Sequence, residues 1–220
     1  VQRSARVGGV MNLQNILIIK LRHIGDVLLS TPVLRGLRAE FSHARLTVLV
    51  NRGTEGVLAN NPDVNEVLCL EKGPWQAQLK FVQMLRGRAF DAVVDLATGA
   101  PVRIGFNAEH RWRGLLYSTV AKPRPTDQHR VDYDLCALRA LGLDPKPGTP
   151  ALYTSPADEQ AVETWMRDAG LLSAQGSPLL VLLQPGARYS LKVWPHERFA
   201  QLADRLADRF GCRILLGGDQ

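Results

Sequence analysis

Asp26 is the residue of this chain best placed to do chemistry. It follows a short apolar run, Ile16-Leu17-Ile18-Ile19-Lys20, by way of Leu21-Arg22-His23-Ile24-Gly25, and a helical pattern begins after it at Val27. An apolar run of that length ending near a Gly-Asp turn reads as a buried parallel strand. In open α/β sheets, ligands bind at the carboxyl ends of the strands. The turn therefore sets a carboxylate where a general base works. Lys20, Arg22 and His23 make that strand mouth basic. Asp is also a frequent helix cap, and spacing alone leaves both roles open.

The surrounding pattern alternates strand and helix, which predicts an α/β fold with a parallel, doubly wound sheet. Strands are expected at 15–20, 46–50, 66–70, 90–96 and 103–106. Between them, Leu34, Leu37 and Phe41 share one helical face, as do Trp75, Leu79 and Val82, and Val131, Leu135, Leu138 and Leu141. Pro32 fits only a helix start or a kink. Asp144-Pro145-Lys146-Pro147-Gly148-Thr149-Pro150 is a natural boundary. It divides the chain into a first domain at 12–150, a connecting helix within 151–176 and the start of a second domain at 177–220. Ser155 is the expected cap of the connecting helix, and Val162, Trp165, Met166 and Ala169 its apolar stripe. The second domain opens with a strand at 179–183. A helix at 195–210 follows, with Phe199, Leu202, Leu206 and Phe210 on one face, and then a strand at 212–216.

Two places look short. Only 97–102 separate the strands at 90–96 and 103–106, whereas a parallel crossover normally takes a dozen or more residues. A hairpin or a lost segment is expected there. At the other end, a single βαβ unit up to Gln220 leaves its sheet faces uncovered, so the second domain reads as incomplete.

Composition narrows the function classes. The 220 residues carry a net charge of +6 with scattered lysines and arginines, and aromatics make up only 6%. No basic-aromatic stripe or nucleic-acid motif is present, so nucleic acid is not an expected partner. The charge suits a nucleotide diphosphate or a phosphorylated lipid. Cys69, Cys136 and Cys212 are far apart, each in an apolar pattern, and read as reduced core residues of a cytoplasmic protein. His110, His129 and His196 lie in unrelated loops or helix starts, and no metal site is expected from them. No apolar run approaches the ~18 residues that cross a bilayer. Residues 1–10 lack the apolar core of a signal peptide and precede Met11, which reads as a cloning remnant or a misplaced start.

Four ordered blocks carry a family resemblance. Lys20-Leu-Arg-His-Ile-Gly-Asp-Val-Leu-Leu-Ser-Thr-Pro-Val-Leu resembles the amino-terminal signature of the bacterial lipopolysaccharide heptosyltransferases, glycosyltransferase family 9. Gln184-Pro185-Gly186-Ala187-Arg188-Tyr189-Ser190-Leu191-Lys192-Val193-Trp194-Pro195 looks like the second-domain signature. Arg103-Ile104-Gly105-Phe106 and the stretch from Asp132-Tyr133-Asp134-Leu135 to Gly142-Leu143 fit between them in order.

The resemblance implies a glycosyltransferase-B fold of two Rossmann-like domains, the second incomplete in this chain. It also implies inverting transfer of heptose from ADP-L-glycero-D-manno-heptose to the inner core of lipopolysaccharide, at the inner face of the inner membrane. The Leu21-to-Asp26 wording points to the branch adding a third, side-branch heptose. Asp26 matches the family's catalytic base. Lys192 matches its phosphate-contacting lysine, with Gly186, Ala187 and Arg188 at the same donor site. Relatives often carry a small hydroxyl residue near 187 and 188, from which Ala187 and Arg188 depart, and Arg188 could contact phosphate directly.

Arg22, His23 and Gly25 would meet the acceptor, although His23 also fits an ordinary loop residue. Trp194 suits packing better than stacking on adenine. No cofactor or metal is implied, since a lysine and helix-start N–H groups can hold the diphosphate. Asp26 and Lys192 are expected to face one inter-domain cleft. The family has a helix near 97–102, implying residues missing between about Leu96 and Arg103. Relatives also continue ~100 residues further, an ordinary domain-half, and carry there a donor loop absent from this chain. Two other readings stay open: a related enzyme using another nucleotide sugar, and a non-catalytic nucleotide-binding domain.

Overall fold

The computed structural model describes residues 6–7, 10–94, 102–106, 117–125, 129–146, 148–172, 178–187 and 190–218. The chain divides into two compact units, Val1–Thr154 and Ser155–Gln220. A short antiparallel ribbon, β1 (Arg6–Val7) with β2 (Val10–Met11), precedes the first sheet.

The elements of the first unit are β3 (Asn15–Lys20), α1 (Ile24–Leu29), α2 (Thr31–Glu40), β4 (Arg45–Asn51), β5 (Glu66–Leu70) and α3 (Trp75–Gly87). After these come β6 (Ala92–Val94), β7 (Val102–Phe106), β8 (Thr119–Ala121) and α4 (Arg130–Ala140). The strand order is β5-β4-β3-β6-β7-β8, and every neighbouring pair is parallel. The chain builds outward from β3 through β4 to β5, then returns to β6 and builds the other way. The reversal of strand order falls between β3 and β6.

The unbroken apolar run of β3 has a simple cause, because both faces of the sheet are covered there. Side chains alternate along a strand. Ile16 and Ile18 join the core formed with α1, α2 and α4, whereas Leu17 and Ile19 join the opposite cluster with Leu85 and Phe90. The predicted faces of α2 and α4 are both buried on the first side. Gly36 lets these two helices approach closely, since a Cβ there would lie 2.6 Å from Leu138 Cδ1. Ser30 and Thr31 turn their hydroxyls back onto the carbonyls of Val27 and Leu28 at the junction of α1 and α2. Pro32 sits in the first turn of α2, where its missing N–H costs nothing.

Helix α3 corrects the sequence reading. Trp75, Leu79 and Val82 are exposed, with Trp75 at 68%. Leu85, with Phe81 one turn before it, faces the core instead. The helix carries apolar residues on two flanks, and its amphipathic period fits either.

Of the two outcomes expected at β6–β7, the hairpin is excluded by the pairing. Ala92, Val93 and Val94 pair in parallel with Val102, Arg103 and Ile104. The ladder is only three pairs long, so Val94 and Val102 need be only about 8 Å apart, given ~3.3 Å per residue and ~4.8 Å between strands. The connection itself, with the break expected between Leu96 and Arg103, lies outside the described residues. Strand β8 is an element that the sequence pattern does not predict. Its neighbour β7 contains Gly105, where a Cβ would strike the Tyr117 ring at 2.1 Å.

The second unit contains α5 (Pro156–Asp168), β9 (Leu180–Leu183), α6 (His196–Phe210) and β10 (Arg213–Leu216). Strands β9 and β10 are parallel and in register from Leu180↔Arg213 to Leu183↔Leu216. Ser155 closes a capping box with Asp158 at the start of α5. Gly211 ends α6 with φ of 59°, a left-handed cap that glycine adopts readily. The stripe read on α5 is not buried, with Val162 and Trp165 both exposed, and Phe210 of α6 is exposed as well. Cys136 and Cys212 are buried, as expected, but Cys69 is only half-buried. No described helix is long and apolar enough to cross a membrane.

Candidate active site

Asp26 lies in the first turn of α1, six residues beyond the end of β3. Its strand is one of the two flanking the reversal of strand order, the position where open α/β sheets form their binding crevice. His23 is the N-cap of α1 through its backbone, and no side chain supplies the cap hydrogen bond. Asp26 is thus not the cap residue. Its side chain is 29% exposed and lies 4.0 Å from Arg130 Nε. Arg22, His23 and Gly25 are all exposed around it, and a Cβ at Gly25 would meet nothing within 4 Å.

Behind Asp26 stands a line of alternating charge. Lys20, the last residue of β3, follows Ile16 and Ile18 on the face covered by α4. It is buried and pairs with Asp134 Oδ2. Arg130, one turn before Asp134 on α4, holds the other carboxylate oxygen at 2.9 Å. Lys20 is therefore not part of a solvent-facing basic mouth, as its place in the sequence suggested. An ammonium so deep survives only with a counter-charge. Burial pushes the Lys20 ammonium below its usual value, and Asp134 pulls against that shift.

Helix α4 is set for this task locally. His129 Nδ1 accepts a hydrogen bond from the Val131 amide and starts the helix. His129 therefore has a capping role, and no group of three metal-ligating side chains occurs among the described residues. The Arg130 guanidinium lies 4.9 Å from the centroid of the Tyr133 ring, and that ring stacks on Phe106 at 4.7 Å.

Sequence reasoning misses Arg130 and Asp134. A signal for Asp134 exists: it falls three residues after Val131 and four before Leu138, on an apolar face, so it must be buried and paired.

The anticipated donor residues belong to the second unit. Gly186 and Ala187 lie exposed in the segment after β9, with open space around Gly186. Lys192 is exposed and ends a 3-10 turn, Ser190–Lys192, just before α6. Arg188 lies outside the described residues. Trp194 meets Phe199 edge-on at 5.1 Å, in keeping with packing against its own helix. A groove of about 540 Å³ runs beside Trp194 and α6, lined by Glu197, Arg198, Gln201 and Arg205 among others; Lys192 is not among its walls.

Known proteins share both sequence and architecture with this chain. The family model of glycosyltransferase family 9 (heptosyltransferase) matches residues 78–220. The lipopolysaccharide heptosyltransferase 3 of Escherichia coli K12 is 26% identical over 215 residues, covering 89% of this chain and 60% of that protein. Among solved structures, a family 9 glycosyl transferase from Veillonella parvula superimposes with a TM-score of 0.79 at 21% identity, over 94% of this chain and 63% of the other. The E. coli ADP-heptose lipopolysaccharide heptosyltransferase II does so with a TM-score of 0.72 at 23% identity, over 94% and 65%. The chain thus spans about three-fifths of the length of the curated relative. Its α/β architecture matches the glycosyltransferase-B heptosyltransferases over that part. With the family model matching well over half of its residues, the chain belongs to glycosyltransferase family 9, the heptosyltransferase family.

Proposed function

We propose that the protein is an inverting heptosyltransferase, moving heptose from ADP-L-glycero-D-manno-heptose to the inner core of lipopolysaccharide. The observation that supports this reading best is Asp26: a partly exposed carboxylate beyond the carboxyl end of β3, beside the reversal of strand order, in a family 9 chain. In this scheme Asp26 accepts the proton of an acceptor hydroxyl as its oxygen bonds to the anomeric carbon. The bond from that carbon to the diphosphate breaks on the opposite face, inverting the configuration and releasing ADP.

Charge grows on the departing diphosphate and needs fixed positive partners. Lys192 and Arg188, with the backbone of Gly186 and Ala187, take that role in the second unit. Lysine, arginine and backbone dipoles carry the charge without a metal. Arg22, His23 and Gly25 surround Asp26 on the acceptor side. The acceptor is a lipopolysaccharide core at the inner membrane face, where anionic lipid attracts a chain of charge +6. The third, side-branch heptose is the favoured product, on the Leu21-to-Asp26 wording and the likeness to heptosyltransferase 3.

Calorimetry with the full-length protein tests the donor. ADP-heptose is expected to bind more tightly than UDP- or GDP-sugars. Preference for a UDP- or GDP-sugar would instead indicate a related transferase on the same fold.

A further inference from the structure

Arg130 stands out because one end of its guanidinium is spoken for and the other is not. Its terminal nitrogen is bonded to Asp134, which is itself locked to Lys20. Its Nε is buried and has no hydrogen-bond partner among the described residues. Asp26 Oδ1 lies 4.0 Å from that nitrogen. That is too long for a hydrogen bond but well within reach of ion pairing. A buried donor without a partner is costly, and such groups usually have a reason to exist.

The guanidinium is flanked on two sides: Asp134 holds one terminal nitrogen, and the Tyr133 ring, itself backed by Phe106 of β7, lies beside it. Its Nε faces Asp26. Arginine suits such a post, being planar and always charged.

We infer that Arg130 is a positioning residue for Asp26, a fixed cation that holds the carboxylate in line at the strand end between turnovers. This rests on the reading of Asp26 as the base. The part of Arg130 turned toward Asp26 is its buried Nε, although the side chain as a whole is 35% exposed. Lys20 and Asp134 act one step further back, by fixing the guanidinium.

Two measurements test the inference. The first reads contact without activity: the Nε–H signal of Arg130, followed by NMR in the protein and in Asp26→Asn. Loss of the carboxylate should shift that signal and speed its exchange with water. An unmoved signal overturns the inference.

The second is a double-mutant cycle on heptose transfer by the full-length protein. Arg130→Gln should lower kcat at least ~10-fold with little change in KM for the donor, and Arg130→Lys should recover part of the loss. In an Asp26→Asn background, Arg130→Gln should cost nothing further, because it acts through a group already gone. Additive losses would mean that Arg130 only supports the fold, and an unaffected kcat would remove it from the reaction; either result overturns the inference. If Asp26→Asn alone leaves turnover intact, the base assignment fails and the positioning role falls with it. The NMR signal would still show whether the two side chains interact.

Discussion

Lys20 and Asp134, 114 positions apart in sequence, form a buried ion pair that joins the central strand β3 to helix α4. Removing one partner of such a pair typically costs about 3–5 kcal/mol, because the other charge stays buried. The two partners are not equivalent here. Lys20→Met leaves Asp134 with Arg130 at 2.9 Å, whereas Asp134→Leu strands Lys20 and loosens Arg130 together. Urea denaturation should therefore show a larger loss for Asp134→Leu. The double variant should lose less than the sum of the singles. Equal and additive losses would contradict the network.

Glu66, at the start of β5, bonds Arg88 at 2.6 Å and Arg45 at 3.2 Å. The Arg88 hydrogen bond first, and Arg45 after it, hold its carboxyl below the usual value of 4.5. A lowered folded value means that the unfolded chain binds the proton more readily. The stabilisation is complete above about pH 4.5 and is lost as pH falls through the folded value. Glu66→Gln should cost about 0.2–1 kcal/mol at neutral pH and should flatten the acid limb of the stability curve. Denaturation midpoints measured down to about pH 3 check this; an acid limb as steep as in the parent would refute it.

For the base, Asp26→Asn or Asp26→Ala in the full-length protein is expected to lower turnover at least ~10²-fold, the scale of lost general-base catalysis. Donor affinity should survive, since this carboxylate acts on the acceptor hydroxyl. Near-normal turnover in Asp26→Ala rejects the role.

At the donor site, Lys192→Ala should weaken both donor binding and turnover, because the diphosphate is charged before the transition state and more so within it. Chelators should change little. Strict dependence on added magnesium, with Lys192→Ala unaffected, would transfer the role to a metal.

The sequence is most informative where burial is two-sided and local. The run Ile16–Ile19, the apolar stripes of α2 and α4, and the Ser155 cap all announce themselves by period or residue type. Helix α3 misleads because two flanks share one period; only the sheet decides that Leu85 faces inward while Trp75 does not. At β6–β7 the hairpin alternative fails because a short connection in sequence does not fix strand direction, and the three pairs of the ladder are parallel. At the site, Asp26 is legible from its turn. The charges behind it are not, because Lys20 reads as a surface lysine until α4 is laid across β3.

The same crossing orders how the protein can be made. Strands β3 and β4 can associate early, since little chain separates them. Lys20, however, has its counter-ion on a helix that leaves the ribosome more than a hundred residues later. Until then the most apolar strand of the sheet ends in an uncompensated cation, and closing so long a loop is slow. Asp134 thus acts as a late latch. A nascent chain halted before it holds all six strands of the first sheet but lacks the helix that supplies the partner of Lys20 and completes the core on one face.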